Sequence, residues 1–296
     1  MSDQAQKLRN LIRQREGAAL PLSEAAPQSN ARIITVTSGK GGVGKSNFTL
    51  NFALCLMERG YRTLIIDADI GFANIDVLMG ITAQTNLLHL IKGEKTISEL
   101  VQTGPGGIQF IAGGSGMFDL LRLTDEETAS FTNQIEELCG MADFILFDTG
   151  AGLSKETQQF IAAAQETIVV TTPEPTAITD AYALIKMVRN EDPDVTFRLV
   201  VNRATNTREA KATADKIRMV ARRFLDIEIA SIGHVEDDHL VSRAVKEQTP
   251  FIIAYPHSAA ARSMKVLVDQ FLGQPPKADL GGGMKKFLKR LIGRTH

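Results

Sequence analysis

Nine residues, SGKGGVGKS at positions 38 to 46, restrict this chain more than any other stretch. Gly39, Gly44, Lys45 and Ser46 satisfy G-x-x-x-x-G-K-S, with the apolar run RIITVT before them and the helical pattern SNFTLNFALCLMERG after them. A strand, a glycine-rich turn and a helix N-terminus in that order aim successive backbone N–H groups at one point, an arrangement suited to phosphate oxygens. The backbone of Gly39, Lys40, Gly41, Gly42, Val43 and Gly44 would line the cradle, Lys45 would meet the β- and γ-phosphates, and Ser46 could ligate Mg²⁺. One lysine suffices for that task. Lys40 therefore needs an explanation of its own.

Further apolar runs predict what surrounds the loop. Arg32 to Thr37, Thr63 to Asp67, Ile108 to Ala112, Phe144 to Phe147, Thr167 to Thr171, Phe197 to Val201 and Glu228 to Ile232 read as strands, alternating with helical stretches long enough for crossovers. Runs such as LIID and FILFD are apolar on both faces, as strands covered by helices on both sides must be. The expected fold is α/β: one doubly wound, mostly parallel sheet of P-loop type over residues 31 to 272, with no internal boundary. Hydrophobic content of 44%, mean hydropathy of -0.03 and the lack of an 18-residue apolar run suggest an ordinary globular chain without a spanning helix. No apolar signal core opens the sequence, so a cytoplasmic location is expected. Cys55 and Cys139 have no CxxC partner and read as small buried apolar residues.

A parallel sheet carries its ligand chemistry at the C-terminal edge of its strands, and two strands end there in carboxylates. LIIDAD supplies Asp67 and Asp69, and FILFDTGAG supplies Asp148. Asp148 fits a partner of the Mg²⁺ shell, Asp67 a further support of it, and Asp69 a group that orients or deprotonates an attacking water. The glycines of TGAG allow a loop to approach a γ-phosphate closely.

KGGVGKS with Lys40 ahead of it, DADIGFANID, FDTGAG and VVNR together resemble the MinD/ParA family of deviant Walker A ATPases. That resemblance implies ATP as nucleotide, ADP as product, Mg²⁺ as cofactor and a nucleotide-sandwich homodimer. Within such a dimer Lys40 would reach the phosphates held by the other subunit. It also implies that Asn202 hydrogen-bonds adenine, that the loop at Glu236 completes the base pocket, and that Asn74 lies in a γ-phosphate-sensing segment.

Charge is distributed unevenly. Residues 284 to 296 carry +5 and residues 1 to 16 carry +2, so a net charge of -1 leaves the middle acidic at about -8. An acidic body speaks against DNA coating, and basic ends favour contact with something anionic. GMKKFLKRLIGR is a basic amphipathic pattern in which Met284, Phe287, Leu288, Leu291 and Ile292 share one face. So short a helix is marginal in water and should order only on a surface. It resembles a membrane-targeting tail, which would bring the protein reversibly to an anionic inner membrane face. Residues 273 to 283 read as its linker, and residues 17 to 30 as a second one.

Residues 1 to 16 read as a helix with Gln4, Leu8 and Leu11 on one face. DQA followed by LR, ahead of this body, resembles the activator helix of the FlhG flagellar-number regulators, also called YlxH or FleN. The resemblance implies stimulation of FlhF, a signal-recognition-particle-type GTPase, with Gln4 reaching its catalytic site. It also implies partners among flagellar switch-complex (C-ring) proteins and, in some lineages, a flagellar transcription regulator. Two other readings stay open at this point: a MinD-like division-site positioning ATPase and a ParA-like DNA-partition ATPase.

Overall fold

Successive residues of the central strand send apolar side chains to opposite faces: in β1 (Arg32–Ser38), Ile34 and Val36 enter one core and Ile33 another. The same alternation runs through β2 (Thr63–Ala68), where Ile65 faces one way and Leu64 and Ile66 the other. Both faces must therefore be covered, and helices cover both. These features come from a computed structural model that describes residues 31–69, 74–113, 133–134, 136–164, 166–274 and 283–292. The expected N-terminal helix with Gln4, Leu8 and Leu11, and the first linker, lie outside the described residues.

The remaining strands are β3 (Gln102–Thr103), β4 (Gln109–Ile111), β5 (Phe144–Ala151), β6 (Glu166–Thr171), β7 (Phe197–Ala204) and β8 (Ala230–Glu236). They form one eight-stranded sheet in the order β3-β4-β2-β5-β1-β6-β7-β8, parallel except for the antiparallel β3–β4 pair. One face carries α1 (Lys45–Glu58) and α6 (Ala259–Leu272), which share a core containing Phe48, Phe52, Met264 and Phe271. The other carries α2 (Lys155–Ala163), α3 (Pro175–Glu191) and α4 (Thr207–Leu225). The eight-residue α5 (His239–Lys246) lies between β8 and α6. No helix of the described residues is long and apolar enough to cross a membrane.

Two strand positions differ from expectation. The last strand runs from Ala230 to Glu236 instead of Glu228 to Ile232, because the apolar residues that call for burial are Ile232 and Val235, with Gly233 at φ 128° beside an irregularity in register. The short β3 carried no hydrophobic run to announce it.

The edge opposite the phosphate loop is closed by charge. Glu166, first residue of β6 and fully buried, accepts from Arg32 Nε at 2.7 Å and Arg198 Nε at 2.8 Å, tying β1, β6 and β7 together. The Arg32 guanidinium also lies 4.2 Å from the Phe271 ring centroid, so α6 covers the network. Burial pulls the Arg32 pKa down, and the Glu166 charge opposes that shift.

The C-terminal helix α7 (Gly283–Ile292) is ordered on the body itself. Phe287, Leu288 and Leu291 are 1%, 2% and 2% exposed, within the core formed with α2 and β1. The Phe287 ring stacks on Phe147 with centroids 4.5 Å apart and lies 6.4 Å from Phe160. These three residues, expected on a membrane-facing stripe, are packed against the body in this structure. A groove lined by Phe147 and Phe160 offers the same stripe the same apolar surface as lipid, and the groove is nearer. The side chains of Met284 and Ile292 lie outside the described residues.

Candidate nucleotide site

Gly42 and Gly44 take left-handed conformations, φ 80° and 86°, which turn the chain from β1 directly into α1. Gly39 has a different reason to be glycine: a β-carbon there would fall 2.2 Å from the Asp180 carbonyl carbon in α3. The loop is therefore seated backbone to backbone on α3.

Lys45 is buried at the first turn of α1, with Nζ 3.0 Å from Asp148 Oδ1 and 3.2 Å from Ser46 Oγ, to which it donates. Thr49, one turn on, donates its hydroxyl to the same Asp148 oxygen at 2.8 Å. Asp148 Oδ2 is buried and has no hydrogen-bond partner among the described residues. An orphaned carboxylate oxygen beside a serine hydroxyl is a hard-oxygen pair that suits Mg²⁺. Ser46 and Asp148 are the residues that would hold the ion, whose chemistry is to neutralise charge on phosphate oxygens.

Asp67 sits opposite Asp148 in the β2–β5 register. Burial, and then the neighbouring Asp148 charge, pushes its carboxyl up to about 7. Its oxygens accept from the backbone N–H groups of Asp69 at 3.1 Å, Asn74 at 2.9 Å and Ile75 at 3.2 Å. In this structure the Asp67 carboxylate thus ties the backbone of Asp69 to that of Asn74 and Ile75. Asp69 lies against the TGAG loop, 3.7 Å from where a Gly150 β-carbon would stand.

Lys40 pairs within its own chain. Its Nζ donates to Glu174 Oε2 at 3.1 Å and Thr176 Oγ1 at 3.0 Å, at the start of α3. Both partners are more than 130 residues away in sequence, so no local pattern could have named them. The pair is solvent-exposed and of the kind worth about 1 kcal/mol or less, weak enough to be exchanged.

Asn202 donates from Nδ2 to Val43 O at 2.8 Å, which clamps the phosphate loop. The next residue, Arg203, has φ 57°, and this left-handed turn of a non-glycine residue marks a strained site. Glu236 donates its N–H to Ser263 Oγ at 3.0 Å, and its side chain lines the same cavity as Lys45, Asp69, Asn74 and Asn202. That cavity measures about 1290 Å³, ample for a nucleoside triphosphate when ordinary ligand clefts run about 300–1,000 Å³. The structure thus brings together the expected loop, Asp67, Asp69, Asp148, Asn202 and Glu236, and adds Thr49, Glu174 and Arg203.

A glycine-rich loop after the central strand of a doubly wound sheet, backed by carboxylates from the two strands on one side of it, β5 and β2, defines a P-loop nucleoside triphosphatase. Comparison with known proteins narrows this. The family model described as "AAA domain" matches residues 31–196. The antiactivator FleN of Pseudomonas aeruginosa is 34% identical over 88% of this chain and 93% of its own. The flagellum site-determining protein YlxH of Helicobacter pylori is 35% identical over 99% of each chain. Among solved structures, the septum site-determining protein MinD of Pyrococcus horikoshii, complexed with Mg-ADP, superposes with TM-score 0.64 at 22% identity, covering 81% of this chain and 96% of its own. The chain belongs to the FlhG (YlxH/FleN) regulators within the MinD/ParA family of deviant Walker A ATPases. It is an ATP hydrolase.

Proposed function

We propose that this ATPase controls flagellar number and placement by switching between a cytoplasmic monomer with its tail docked and an ATP-bound dimer on the inner face of the cell membrane. The observation that carries this reading is the seat of α7 on α2, the helix that directly follows the TGAG loop beside Asp69. A γ-phosphate that moves the loop also moves α2, and with it the seat of the tail. Lys40, exchanging Glu174 for the phosphates of a partner copy, would tie that movement to dimerisation. Residues 1 to 16 form the arm that stimulates FlhF, 17 to 30 and 273 to 283 serve as linkers, and 284 to 294 meet lipid. C-ring proteins and, in some lineages, a transcription regulator complete the partners, while the acidic body disfavours DNA.

Cosedimentation with anionic liposomes tests the switch. ATP is expected to bring the protein down with the vesicles and ADP to leave it in solution; equal binding in both states would refute the coupling. Lys40→Ala should retain nucleotide binding and lose the ATP-dependent doubling of mass in light scattering, and an unchanged dimer would remove the role in trans. Deleting residues 1 to 16 should abolish stimulation of the FlhF GTPase while ATP turnover stays within about two-fold, since Lys45, Asp69 and Asp148 all follow residue 30 in the sequence. A truncated chain that still stimulates fully would sink that assignment.

A further inference from the structure

The two ends of the chain carry one pattern. LRNLI at 8–12 and LKRLI at 288–292 agree as leucine, base, any residue, leucine, isoleucine. In the C-terminal copy, Leu288 and Leu291 are the buried anchors that seat α7 in its groove. Leu8 and Leu11 occupy the matching positions in the N-terminal copy.

We propose that the groove beneath α7 is a shared seat, and that residues 1 to 16 dock in it through Leu8 and Leu11 once α7 has left. Reach permits this. The groove includes Ala31 and Ile33 at the start of β1, and residues 17 to 30 lead from the N-terminal segment to that point. Fourteen residues at coil-like dimensions would span roughly 20 Å on average, which would keep the segment at a high effective concentration beside the groove. Departure of α7 also uncovers the rings of Phe147 and Phe160, an apolar surface that needs a cover in water. Both segments are basic, so the acidic body accepts either.

The two tenants are unequal. Position 287 is the phenylalanine that stacks on Phe147, whereas position 7 is lysine. The N-terminal segment therefore lacks the aromatic anchor and yields whenever α7 returns. This rests on the reading above in one respect: with the tail on a membrane, the arm that carries Gln4 is drawn against the body, so membrane residence and partner stimulation alternate.

The chain has no tryptophan, so Leu8→Trp supplies a sole reporter. In the full chain its emission should be solvent-like and readily quenched by acrylamide. Deleting residues 283 to 296 should shift the emission to the blue and lower the quenching constant several-fold. A peptide of residues 283 to 296 should reverse both changes, and the same peptide with Leu288→Asp and Leu291→Asp should not. Adding Leu11→Asp to the reporter chain should also restore exposure. Solvent-like emission after the deletion, or burial that persists under saturating tail peptide, overturns the proposal. Should the deletion unfold the body, Phe287→Asp with Leu291→Asp in the full-length reporter ejects α7 and is read the same way. No lipid or GTPase enters these measurements, so their outcome is independent of whether the membrane switch holds.

Discussion

Asp69→Ala is expected to bind ATP and dimerise normally while turning over about 10²–10⁴-fold more slowly, the range a positioned acid–base group contributes. The three aspartates of the site sit in different surroundings. Lys45 and Thr49 engage Asp148, three backbone N–H groups engage Asp67, and both groups are buried. Asp69 lines the open cavity beside the glycine loop, and its own N–H is anchored by Asp67. Asp69 is half-buried and faces the cavity on the side of the TGAG loop, where a water can reach it. Phosphate release and light scattering with ATP would be measured on one preparation, because the expected product is a dimer that persists. Turnover near that of the parent chain would exclude the water-orienting role.

Glu166→Gln is expected to cost about 3–5 kcal/mol of stability, the penalty for leaving a buried charge without its partner. Here the loss is sharper than in a simple pair, since one carboxylate serves two guanidinium groups, Arg32 and Arg198, at the ends of three strands. At about 2–4 °C per kcal/mol for a domain of this size, melting should fall by roughly 10 °C. Calorimetry would check it, and nucleotide affinity should be unaffected at low temperature because the network lies at the edge of the sheet remote from the loop. A change below 1 °C would mean that the arginines find other partners.

The parts of this protein that were legible in advance are those whose logic is local. A strand, a glycine turn and a helix are contiguous, and the carboxylates of LIIDAD and FILFDTGAG follow apolar runs that can only be buried strands. What was not legible depends on distance or on choice of surface. Glu166 meets Arg32 across 134 residues, and Lys40 meets Glu174 across the same span. The tail is a case of choice: its apolar stripe specifies burial, and amphipathic periodicity cannot distinguish a bilayer from a groove lined by Phe147 and Phe160. The shift of β8 has a third origin, since an edge strand with Gly233 at its middle follows its packing on α6 more than any intrinsic preference.

In the switch proposed above, the depth at which Phe287, Leu288 and Leu291 are buried would set how the protein responds to its own abundance. Three such side chains contribute on the order of 5 kcal/mol, and overturning a bias of that size takes a differential affinity of about 10⁴. Pairing of two chains, as proposed, would add to what the nucleotide supplies, and it grows with concentration. Release of the tail should then be negligible below a certain copy number and steep above it. A protein that switched in this way would measure its own dose, which is the quantity a cell must read to stop at a set number of organelles.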